Sequence, residues 1–135
     1  MSTLTFFVYE KPVSTNSVAR FSKGHAHVAP AASTFKQIVF QYASEAARDA
    51  YWEIPECCRV HIDAWNVRLD ADNIPKLVID AMKGATIRDD DRKHVRAISV
   101  EHESDNEGTR LCITITPCNP PIRPKKTRAK AQREK

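Results

Sequence analysis

Two groups of carboxylates bracket one apolar run. In RLDADNIPKLVIDAMKGATIRDDD, Asp70 and Asp72 stand at the head, and Asp89, Asp90 and Asp91 close it. Carboxylate oxygens are hard ligands of the kind Mg2+ takes, and Mg2+ needs only one or two of them beside its waters. Like charges this close repel and raise one another's pKa, and a shared cation relieves that conflict if the two groups converge. Blander accounts compete. A single aspartate at a helix start satisfies free amides and gains about 0.3–1 kcal/mol from the helix dipole. The triple aspartate, flanked by Arg88, Arg92 and Lys93, can equally be a solvated turn.

The run between the acids must position them. Setting Asp72 at 0° and adding about 100° per residue places Ile74, Leu77, Val78, Ala81 and Met82 within one arc of about 140–280°. Asp72, Lys76, Asp80 and Lys83 fall on the opposite side. Lys76 is therefore one turn from both Asp72 and Asp80, and Asp80 reads as its partner. Pro75 is tolerated only in a first turn, so the helix is expected to start near residues 70–72. Ile79 falls on the polar side, where it could be an interface contact.

Around this helix the chain reads as β-α-β-α-β-β. Residues 3–9 alternate as a strand, and residues 11–32, rich in Ser, Pro, Gly, Asn and His, read as a long loop. Ser33 or Thr34 caps a helix reaching about Trp52, and Pro55 stops it. Residues 59–67, 95–101 and 111–116 are strands, the last two joined by the polar hairpin HESDNEGTR. The class implied is α+β: a mixed sheet with two helices packed on one face.

At 135 residues a single main domain is expected, over residues 1–117. Residues 118–135 hold seven Lys or Arg against one Glu, a basic tail expected to be disordered and able to grip phosphates. No run approaches the ~20 apolar residues of a membrane span. Without a leader peptide, the four cysteines (Cys57, Cys58, Cys112 and Cys118) suggest reduced thiols in a cytoplasm. Cys58 and His61 have Cys-x-x-His spacing, but no second close ligand pair supports zinc.

The residues also resemble a known family. The pattern Asp70-x-Asp72-Asn73, then Lys76, Asp80-Ala81 and an acidic pair, is similar to that of the RusA family of phage and prophage Holliday junction resolvases. The order upstream is similar too: a strand, a loop with Pro12, Ser14 and Asn16, a His27-Val28 pair, then a helix. Two departures stand out: three aspartates replace the usual acidic pair before Val95, and Pro75 sits in the first turn. The resemblance implies a Mg2+-dependent endonuclease, with Mn2+ a possible substitute and no organic cofactor. It would act as a homodimer on four-way branched DNA in a bacterial or phage-infected cytoplasm. It implies that Asp70, Asp72 and Asp91, with Asp90, hold the metal, and that Lys76 assists catalysis. Lys11, Asn16, Arg20, Lys23, Arg92 and Lys93 would contact DNA. Rival expectations are a flap or general branched-DNA nuclease, a non-catalytic junction-binding protein with a structural metal, and a small Ca2+-binding domain. The last lacks the EF-hand spacing and its loop glycine.

Overall fold

Alternation of apolar and polar residues fixes which face of each strand is buried, and the sheet follows from it. The computed structural model describes residues 2–10, 12, 19–22, 25–28, 30–68 and 74–119. In order the elements are β1 (Leu4–Val8), β2 (Ala19–Ser22), β3 (His25–Val28), α1 (Pro30–Asp49), β4 (Cys58–Trp65), α2 (Ile74–Met82), β5 (Val95–Glu103) and β6 (Arg110–Pro117). Four strands form one mixed sheet in the order β1-β6-β4-β5. β6 runs antiparallel to both its neighbours, whereas β4 and β5 are parallel. A parallel pair requires a crossover, and α2 supplies it.

Leu4, Phe6 and Val8 of β1, Cys58, Val60, Ile62 and Ala64 of β4, and Leu111, Ile113 and Ile115 of β6 all turn to one face and are buried. Phe35, Val39 and Ala43 of α1, with Ile74, Leu77, Val78, Ala81 and Met82 of α2, complete that core. The alternate strand residues form the other face, on which no helix packs among the described residues.

Three expectations change. The stretch read as one loop over 11–32 contains a hairpin, with β2 and β3 pairing antiparallel from Ala19↔Val28 to Ser22↔His25. α1 begins at Pro30, a residue suited to the first helical turn, so Ser33 and Thr34 lie inside the helix rather than capping it. Ile79 is not a surface residue. Only 4% of it is exposed and it belongs to the core. α2 packs against α1 as well as beneath the sheet, so its buried arc is wider than one apolar stripe. The interface role for Ile79 is therefore withdrawn.

Candidate active site

The chain leaves β4 through a tightly held corner. Asn66 adopts a positive φ of 57°, which Asn tolerates better than most residues. Its amide donates to Asp105 Oδ1 (2.8 Å) and to the Gly108 carbonyl (2.7 Å), and its Oδ1 accepts from the Asp105 amide at 3.0 Å. Arg110 lies 4.5 Å over the Trp65 ring and donates to Asp105 Oδ2 at 2.8 Å. Arg110 and Asn66 together hold the Asp105 carboxyl well below the usual carboxylate range. This corner fixes the chain as it leaves β4. Asp70, Asp72 and Asn73 themselves lie outside the described residues, as do Lys11, Asn16 and Lys23. Arg20 falls in β2.

The other acids sit beyond the far end of α2. The Met82 carbonyl accepts amides from Ala85 (3.0 Å) and Thr86 (3.1 Å), and Gly84 takes φ 81°, so the helix stops in a sharp turn. The Trp52 indole donates to the Thr86 carbonyl at 2.9 Å and ties this turn to the end of α1. The three aspartates then take separate partners. Asp89 Oδ1 accepts the Asp90 amide at 2.8 Å. Asp90 Oδ2 lies 3.6 Å from Lys83 Nζ. Asp91 Oδ1 accepts from the amides of Lys93 and His94, both at 3.1 Å, and from His94 Nδ1 at 2.8 Å. The repulsion apparent in the sequence is thus largely settled by local partners.

Asp91 nevertheless differs from its neighbours. All three of its hydrogen bonds fall on Oδ1, and its side chain is 54% exposed. Oδ2 has no protein partner among the described residues. The His94 hydrogen bond, helped by the backbone amides, lowers the Asp91 pKa. His94 is itself mostly buried and has Glu56 Oε2 3.9 Å from its Nε2. Its carbonyl accepts the Cys58 amide at 2.9 Å, which anchors the turn to the start of β4. Asp91 is thus a firmly oriented, ionised carboxylate held through one oxygen, with no partner on the other among the described residues. Arg92 and Lys93 are exposed beside it.

Lys76 is exposed on α2. Its expected partner Asp80 pairs instead with Lys36 (3.7 Å) and Lys83 (3.9 Å). Neighbouring α1 brings Lys36 within reach, a tertiary contact that spacing along one helix does not reveal. Cys58 and His61 are three apart on one strand and so point to opposite faces, which ends the Cys-x-x-His reading.

One cluster was missed. On the open face of the sheet, His61 Nε2 lies 2.9 Å from Asp63 Oδ1 and 3.3 Å from Glu101 Oε1. The ligand atoms of all three residues fall within 4.8 Å of one another. The His-x-Asp alternation on β4 was a readable signal. Glu101 could be added only once the parallel register Asp63↔Glu101 was known.

Fold and site define a class: a small α+β protein with a one-faced mixed sheet, whose crossover helix has acids before its start and after its end. The model of the family described as Endodeoxyribonuclease RusA matches residues 11–116. The chain belongs to the RusA family of endodeoxyribonucleases. No curated protein matches it. Among solved structures it is similar to a DegV family protein from Corynebacterium glutamicum, at 11% identity and a TM-score of 0.34. That likeness covers 89% of this chain and 50% of the other, so the chain spans half that protein's length. A similarity this weak carries no argument about fold or activity. No helix among the described residues is long and apolar enough to cross a membrane.

Proposed function

We propose that the chain is a Mg2+-dependent endonuclease that resolves four-way DNA junctions as a homodimer, by paired nicks leaving 5′-phosphate and 3′-hydroxyl ends. The observation that carries this reading is the match to the endodeoxyribonuclease family over residues 11–116. The state of Asp91 supports it: an oriented carboxylate whose Oδ2 has no partner among the described residues, beside exposed Arg92 and Lys93.

Asp70, Asp72 and Asp91, with Asp90 adjacent, would hold the metal, and their hard oxygens suit Mg2+ or Mn2+. When bound, such an ion polarises the phosphoryl oxygen, lowers the pKa of a water and offsets charge on the leaving oxygen. Within the protein, His94 fixes the rotamer of Asp91 and keeps it ionised. Lys76 places a cation near the scissile phosphate. Lys11, Asn16, Arg20, Lys23, Arg92 and Lys93, with the tail from 118, bind the backbone through contacts that weaken with salt.

Two copies have a role beyond making two cuts. Asp72 precedes α2 by two residues, whereas Asp90 pairs with Lys83 just past the helix's other end. Nine helical residues span about 13 Å. A two-fold dimer permits a site in which Asp91 of one copy meets Asp70 and Asp72 of another.

The test uses labelled four-way junctions, flaps and linear duplex. Asp70→Asn and Asp91→Asn should each abolish cleavage while junction binding persists. Mixing the two inactive variants should restore nicking, because one of the two shared sites is then intact. Equal cutting of flaps and duplex would replace the junction reading with a general branched-DNA nuclease. Retained cleavage in Asp70→Asn would overturn the catalytic site proposed around Asp70, Asp72 and Asp91, whereas junction binding without any cleavage by the wild-type chain would leave only a binding role.

A further inference from the structure

The geometry points to a second cation site, for Zn2+ or a similar borderline transition metal, formed by His61, Asp63 and Glu101 on the open face of the sheet. It stands on residues the nuclease reading does not use, so either can fail without the other.

Backbone pairing builds the cluster. His61 and Asp63 are alternate residues of β4 and share a face, and the parallel register sets Glu101 of β5 beside Asp63. Central strands are the stiffest part of a sheet, so two of the three ligands are held by the scaffold. His61 Nε2 stands 2.9 Å from Asp63 Oδ1 and 3.3 Å from Glu101 Oε1. Tetrahedral zinc with ligand bonds of about 2.0–2.2 Å separates its ligands by roughly 3.4 Å. An outward shift of a few tenths of an ångström at Asp63 therefore opens the required space.

The imidazole is also held as a metal ligand would be. His61 Nδ1 lies 2.6 Å from Ser99 Oγ on β5. When Nδ1–H donates to that hydroxyl, the Nε2 lone pair faces both carboxylates. Only a cation or a proton at that point is compatible with two acids there. Ligating histidines usually have such a partner on the other ring nitrogen. Among the described residues, neither Asp63 nor Glu101 has a Lys or Arg within 4.0 Å, and His61 is their sole ionic partner. The side chains are 33%, 28% and 65% exposed in the order His61, Asp63, Glu101, so an ion can enter and keep water as a fourth ligand. One imidazole and two carboxylates favour Zn2+, Ni2+ or Co2+ over Mg2+. Because the ligands come from two strands, the ion would clamp edge strand β5 to central β4.

Zn2+ is titrated calorimetrically into the full-length chain in excess Mg2+, which occupies purely carboxylate sites, and thermal melts are run with and without Zn2+. The wild-type chain should bind one Zn2+ that raises its Tm. His61→Ala and Glu101→Gln should bind it at least tenfold more weakly and lose the Tm gain, whereas Asp91→Asn should keep both. Glu101 is exposed enough that its amide variant folds. As a check independent of variants, 15N-histidine spectra of the wild-type chain should show the His61 Nε2 resonance moving on Zn2+ addition. Unaltered Zn2+ binding in both variants, or an unmoved His61 resonance, overturns the site.

Discussion

Cys57 and Cys118 give the prediction with the largest readable magnitude. Just past the end of the β4–β6 pairing, the Cys118 amide donates to the Cys57 carbonyl at 3.0 Å, and the two sulfurs lie 3.1 Å apart. Facing residues of an antiparallel pair have Cα atoms about 4.5–5.5 Å apart, inside the range a disulfide spans. All four cysteines are free thiols. Diamide takes two electrons and two protons from the pair, and an S–S bond replaces two S–H bonds. The new bond closes a loop across a separation of 61 residues. Loop-closure entropy for that length is worth about 4 kcal/mol, or a Tm increase of roughly 10–15 °C for a domain of this size. Burial, and then the contact with Cys118, push the Cys57 thiol up. The reacting species is the thiolate, so oxidation should be slow at neutral pH and faster near pH 9. Peptide mapping of the oxidised chain should find the 57–118 link, and melts with and without dithiothreitol should show the Tm difference. A Tm gain that persists in Cys118→Ser, or a link formed to Cys58 instead, refutes the reasoning.

Other expectations follow from the same structure. Ile62→Ala, at the centre of β4 with no exposed surface, should cost about 2–5 kcal/mol in urea denaturation. Thr86 Oγ1 is buried without a hydrogen-bond partner among the described residues, so Thr86→Val should leave stability equal or raise it by about 1 kcal/mol. His94→Ala removes the hydrogen bond that lowers the Asp91 pKa. The Asp91 carboxyl should then titrate at higher pH by NMR, and the acid limb of cleavage should move to higher pH with it. Burial first, and the neighbouring thiols second, push Cys58 up to about 12. A raised folded pKa means its contribution is complete below the unfolded thiol value near 9 and is lost as pH rises towards 12. Alkaline melts should therefore lose up to about 1.4 kcal/mol per pH unit in that window, and less in Cys58→Ala.

What could be read from the sequence was what repeats along one element. The buried faces of β1, β4 and α2, the two helices and the β5–β6 hairpin all follow from local periodicity and turn residues. The β2–β3 hairpin was hidden because ARFS and HAHV are short, and the basic and histidine residues between apolar ones read as loop. The misreadings at Ile79 and Asp80 share a cause: Ile79 is buried in the tertiary core and Asp80 pairs with Lys36 of α1, and a single-helix projection contains no neighbour. The same limit hid the His61 cluster, whose third member depends on strand register. The acid pattern around α2 was legible because Asp70, Asp72 and Asp89–Asp91 fall within one short stretch of sequence.

The position of β6 has a consequence for how the chain is made. Among the described strands β1 pairs with β6 alone, Leu4 against Ile115, so β1 leaves the ribosome long before the strand it needs. Until the segment near residue 115 emerges, Leu4, Phe6 and Val8 have no strand to sit beside. The central slot between β1 and β4 also stays empty. Local hairpins and helices can form during synthesis, but the sheet closes only after it. A chain stalled before residue 110 should therefore be a client for chaperones or proteases rather than a half-active nuclease.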